Sequence, residues 1–184
     1  MTQSKIQELQ ISWEVKEWEA RRALILKTFS LVNPRMNRLW KEEFYLEIVL
    51  VHSQTIEHYI KTIIQGHLVK RKILTILNEN DPQSQIKIEI EEDAPLGSLI
   101  GVLKKFIGKT ALISSLTSFN TTIRREVAHH IFDGQKDVDS LTENIKLFFG
   151  ENWQGKGFRE MVDGLKEESK KINEQIKEII EKSK

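Results

Sequence analysis

The chain has no cysteine. That excludes a disulfide framework and any thiolate metal site. Among its 184 residues only three are proline, Pro34, Pro82 and Pro95, so long helical stretches go uninterrupted. There is little net charge, +1 with histidine neutral. A protein that coats nucleic acid by bulk charge is therefore excluded, and any polyanion site must be a local patch. No apolar run approaches the ~18 residues that a membrane span needs, and no secretory leader is recognisable, so a cytoplasmic protein without membrane contact is expected. Also missing are a glycine-rich phosphate loop and a Gly-x-Ser-x-Gly nucleophile elbow.

What is present is helical periodicity. Ile11, Val15, Trp18, Arg22, Ile25 and Phe29 advance by threes and fours, which predicts an N-terminal helix over about 4–30, stopped by Asn33-Pro34. A second helix is expected directly after it. It carries Leu46, Val49, His52, Ile56, Tyr59, Ile60, Ile63 and Ile64, an apolar face wide enough for the centre of a bundle, with Gly66 as its end or an interruption. His52 lies on that stripe and reads as a core residue. Gln85 to Glu91 alternates polar and apolar residues, the one strand-like signal, and reads as an extended connector. Pro95 opens the next helix, with Leu96, Leu99, Ile100, Leu103 and Ile107 inward and Gly108 closing it.

The next pattern is Leu112, Leu116, Phe119, Ile123, Val127, Ile131, ending at Asp133-Gly134. It is either one helix over about 109–132 or a new helix capped by Asn120 or Thr121. Leu141, Ile145 and Phe148 mark a short helix. A glycine-bearing loop surrounds Trp153. A final helix over about 158–182 carries the heptad-like seam Val162, Leu165, Ser169, Ile172, Ile176, Ile179, which packs on the bundle or on a partner. The expectation is an all-α bundle forming a single helical domain over 1–184.

The chemistry concentrates in Ile123–Phe132, where Arg124, Arg125, His129 and His130 interrupt an apolar pattern. Arginine is permanently cationic and shaped to grip phosphate, and histidine moves protons near neutral pH. Together they suffice to cut a phosphodiester without a metal or cofactor. The same residues are equally those of a solvated helix face. Four residues from His129 only Asp133 could complete a chelate, and adjacent histidines diverge by about 100°, so no metal site is assigned. Lys104, Lys105 and Lys109, one element upstream, extend a basic groove. On an ideal helix Arg124 and His129 diverge by about 140°. Small Ala128 lies between them, so two copies of the segment facing each other are expected to complete one cleft.

The segment resembles the signature of the HEPN superfamily, all-helical domains of prokaryotic toxin, antiphage and RNA-processing systems. Arg124 corresponds to the signature arginine, Arg125 to the polar residue after it and His129 to the histidine, with four residues between. An apolar helix leads in, Ala128 precedes the histidine, and Leu96-Gly97-Ser98-Leu99-Ile100-Gly101 sits one helix upstream. The likeness spans about 43–149, and the first and last helices look like additions to that core. It departs from the family where Asn or another small polar residue is usual, here Arg125. It departs again two residues after the histidine, where one toxin subgroup carries Tyr and this chain has Ile131. The resemblance implies a homodimeric, metal-independent endoribonuclease of a toxin or antiphage system, leaving a 2′,3′-cyclic phosphate. Arg124 and His129 would be catalytic, and Arg125, His130, Lys104, Lys105 and Lys109 would hold RNA. It implies a restraining antitoxin or other regulatory protein as well. The alternative from another class is a non-catalytic HEPN-like module for dimerisation or for RNA or protein binding.

Overall fold

The structure is a computed structural model that describes residues 3–77, 79, 81, 88, 94–128 and 138–183. It is all-α, with no strand among the described residues. The helices are α1 (Gln3–Lys41), α2 (Tyr45–Ile76), α3 (Leu96–Ile107), α4 (Ala111–Ser118), α5 (Val138–Phe149) and α6 (Lys156–Lys182). A π-helical stretch, Phe119–Arg124, continues α4 directly and passes into helical residues 125–128. The expected Gln85–Glu91 connector, the Asp133-Gly134 helix end, and His129 and His130 lie outside the described residues. Ile88 alone of that connector is described, without regular structure and half-buried against the core.

α2 is the central element. It packs on α1, α3, α5, α6 and the π-helical stretch. Its buried residues include Ile48, Val49, Ile56, Tyr59, Ile60, Ile63, Ile64 and Ile73, around most of its circumference, as the wide apolar face required. α1 and α6 supply Trp18, Ile25, Met36, Met161, Leu165 and Ile172 to the same hydrophobic cluster.

Two boundaries differ from the sequence expectation, both for tertiary reasons. Pro34 does not stop α1, which runs on to Lys41. A proline inside a helix loses one hydrogen bond and crowds the preceding turn, at roughly 3 kcal/mol. The turn beyond it offsets that cost. Met36 is fully buried, Leu39 and Trp40 pack on the core, and Asn37 Oδ1 accepts a 2.7 Å hydrogen bond from Trp153 Nε1. The second helix therefore starts later than expected, at Tyr45, after a tight turn in which the Phe44 N–H bonds the Leu39 carbonyl.

Gly66 neither ends nor interrupts α2. A Cβ there would stand 2.8 Å from the Trp18 ring and 2.9 Å from Ile172, so the glycine is where α1 and α6 close onto α2. Pro95 serves as the N-cap of α3, extended at ψ 154°, one position ahead of the first helical turn. Gly108 ends α3 with φ 73°, as its position suggested.

The candidate nucleic-acid interface on α4

Thr110 caps α4, its Oγ1 accepting from the Ile113 N–H at 3.3 Å. No new helix starts at Asn120 or Thr121. The chain runs helically from Ala111 to Ala128, so of the two readings the continuous helix holds over the described residues. Ile113, Leu116, Phe119, Ile123 and Val127 are buried. The opposite face carries Ser114, Thr117, Ser118, Thr121 and Thr122.

The π-helical turn falls along that hydroxyl face. Thr121 Oγ1 donates to the Thr117 carbonyl at 2.9 Å, the oxygen that its own N–H would take in a regular α-helix. Thr117 Oγ1 bonds the Ile113 carbonyl at 2.7 Å in the same way. Such back-bonding competes with the α-helical ladder and loosens it. The Arg125 N–H then reaches back to the Asn120 carbonyl, a five-residue step. The wide turn ends at Arg124 and resets the rotational register of the helical residues beyond it.

Arg124 points to α2. Its Nη2 meets Glu57 Oε1 at 3.1 Å, and both side chains are about a quarter exposed, at 28% and 23%. Glu57 is the residue that sequence reasoning missed. Its only local signal is an acid inside the apolar run Ile56-Glu57-His58-Tyr59. Arg125 is exposed beside Arg124, and Ala128, the last described residue of the helix, is half-buried.

Lys104 and Lys109 come together on a recess of about 530 Å³, lined by Ser114, Thr117, Thr121 and Thr122 among others. Thr121 and Thr122 bring this recess to within one helical turn of Arg125. Lys105 is exposed but is not among the residues lining the recess. The described part of the candidate site is thus a cationic strip: Lys104 from α3 and Lys109 from the α3–α4 turn at the recess, and Arg125 beyond the π-helical stretch. Arg124 is turned inward at its end.

The described histidines outside this strip belong to the core or to another face. His52 is fully buried. It lies 3.7 Å from the Phe158 ring centroid and 5.0 Å from Phe149, and its Nε2 has no partner. Burial pushes its pKa down to about 3, against a weaker opposing hydrogen bond with the Trp153 backbone. His67 stacks on Phe106 at 4.3 Å, nearly parallel. Its pKa also falls to about 3, through burial and then the nearby Lys70 and Lys171. Its Nε2 is 3.8 Å from Glu168 Oε1. That spacing is too long for a hydrogen bond, and a neutral ring forms no ion pair. His58 is exposed on α2.

Among the described residues no helix is long and apolar enough to cross a membrane. Comparison with protein-family models, with characterised proteins and with solved structures finds no match to this chain.

Proposed function

We propose that the chain is a metal-independent endoribonuclease of HEPN type. The observation that carries the reading is the recess beside α4 where Lys104 of α3 and Lys109 of the following turn meet, with Arg125 within one helical turn of its Thr121 and Thr122 lining. Separate cations beside a hydroxyl-lined recess suit the phosphates of a single strand, the contact expected of a backbone-gripping site.

In this mechanism the ribose 2′-oxygen attacks the adjacent phosphorus and the P–O5′ bond breaks. His129 moves a proton, as base from the 2′-hydroxyl or as acid to the departing 5′-oxygen. Such transfer contributes typically ~10²–10⁴ in rate. Arg124 steadies charge growing on the phosphoryl oxygens. Glu57 holds the guanidinium in place until the phosphate competes for it. Arg125, His130, Lys104, Lys105 and Lys109 bind the strand. A cytoplasmic toxin or antiphage role, with a regulatory protein restraining the nuclease, belongs to the same proposal.

One observation favours a second reading, a non-catalytic interaction module. The Arg124–Glu57 pair could serve only to fasten α4 to α2. Cleavage separates the two. The purified chain is expected to cut single-stranded RNA in the presence of EDTA. Activity that vanishes with the chelator and returns with Mg²⁺ or Mn²⁺ contradicts the mechanism, and no cleavage under any condition leaves the module.

A further inference from the structure

α1 carries two apolar faces. Ile11, Trp18, Ile25 and Met36 are buried on one of them. Leu9, Trp13, Leu24 and Leu31 are exposed by 56, 62, 56 and 69%, and exposed Ala20 lies in line with them. At 100° per residue these five fall within about 60° of one another, roughly opposite the buried face. Their spacing of four, seven, four and seven residues is that of a helix–helix seam. A helix apolar on two opposite sides is built to be covered on both. α2 and α6 cover one side, and the other faces solvent.

We infer that a second copy of this chain covers the outer face of α1, with the two α1 helices antiparallel and crossing at Ala20. About that residue the register brings two complementary pairs together. With Ala20 on the two-fold axis, Leu9 falls opposite the partner's Leu31. Trp13 falls opposite the partner's Lys27, the cation-over-indole contact that Trp makes best. Glu17 and Arg21 already pair within each helix at 2.8 Å. In the antiparallel register the partner's Arg21 stands two residues, about 3 Å along the axis, from the position opposite Glu17, within reach of its long side chain. Alanine at the crossing admits close approach. The seam runs from Leu9 to Leu31, about 33 Å at 1.5 Å per residue. At its end a recess of about 1050 Å³ between α1 and α2, lined by Leu9 and Trp13, receives the partner's Leu31.

This contact is isologous and closes as a dimer. It uses the outer face of α1 and, at its end, the recess between α1 and α2, whereas Arg124 is anchored on α2 through Glu57. It therefore differs from a two-fold at Ala128, which the motif alone suggested, and it does not depend on the nuclease reading.

The test uses the full chain, in which any introduced cysteine is unique. Sedimentation velocity at tens of micromolar is expected to show a dimer. Trp13→Glu with Leu24→Glu is expected to weaken it at least ~10²-fold, since central aromatic contacts dominate such interfaces. Both side chains are exposed, so the helical circular dichroism should be retained. Mild oxidation of Ala20→Cys should give a disulfide-linked dimer, and Lys170→Cys on α6 should not. A monomeric wild-type chain overturns the inference and assigns the seam to a different partner. So does a dimer that survives the double variant and is lost in Ala128→Trp.

Discussion

Arg124→Ala and His129→Ala are each expected to lower the rate of RNA cleavage by ~10² or more, with the fold intact. Removing a positioned proton-transfer group typically costs ~10²–10⁴, and removing a donor aimed at developing negative charge costs ~10²–10³. The stability side differs. The Arg124–Glu57 pair is partly exposed, and pairs of that kind contribute about 1 kcal/mol at most. Arg124→Ala should therefore lower Tm by no more than ~2–4 °C. Glu57→Gln removes the same ion pair while keeping the guanidinium. If Arg124 acts on phosphate, Glu57→Gln retains much more activity than Arg124→Ala. If Arg124 only fastens α4 to α2, the two variants behave alike in melting and in every other assay.

His52→Ala should be among the most destabilising single changes. It empties a ring-sized space against Phe158, Phe149 and Trp153. Truncating a buried ring costs about 3–5 kcal/mol, which for a chain of this size is a fall in Tm on the order of 10 °C. His52→Phe keeps a ring and removes the titration, together with the hydrogen bond to the Trp153 backbone, which gives a second readout. Burial holds the His52 and His67 pKa values near 3, against an ordinary 6.5. Each ring is neutral in the fold, whereas the unfolded chain takes up a proton below about pH 6.5. Their contribution is complete above pH 6.5 and is lost progressively as pH falls towards 3, by up to about 1.4 kcal/mol per pH unit for each ring. Glu168 works the other way. Burial raises its pKa, so its contribution is present below about pH 4.5 and is lost as pH rises through the raised value. The His slope is therefore best isolated by comparison. Melting between pH 7 and 4 should show a shallower decline for His52→Phe than for wild type. Equal slopes would show that His52 is already protonated in the fold.

The helical architecture was legible because the apolar spacing is strong. Leu96, Leu99, Ile100 and Leu103 in α3, and the seam from Val162 to Ile176 in α6, turn inward as their periodicity requires. Pro34 misled because a local rule was weighed without the contacts beyond it. The Asn37–Trp153 bond that helps carry α1 past the proline joins residues far apart in sequence. Gly66 looked like a break for the same reason, since its partners Trp18 and Ile172 lie on other helices.

At the candidate site, charge alone pointed to Lys104, Lys105 and Lys109, and the structure brings Lys104 and Lys109 to one recess but not Lys105. The π-helical turn was not legible. Ser53, Thr55, Thr62 and Thr75 make the same hydroxyl bonds in α2 without widening it, so a hydroxyl-rich face does not mark such a turn. The Glu57 partner was hidden as well, because an ion pair across 67 residues leaves no pattern in the chain.

The nature of the RNA ends left by the wild-type chain tests the account most directly. A defined single-stranded RNA, cut in EDTA and analysed by mass spectrometry, should yield fragments ending in 2′,3′-cyclic phosphate paired with fragments beginning in 5′-hydroxyl. Products carrying 3′-hydroxyl and 5′-phosphate would mean that water or a metal-bound hydroxide, not the ribose 2′-oxygen, attacked the phosphorus, and would contradict the Arg124 and His129 mechanism.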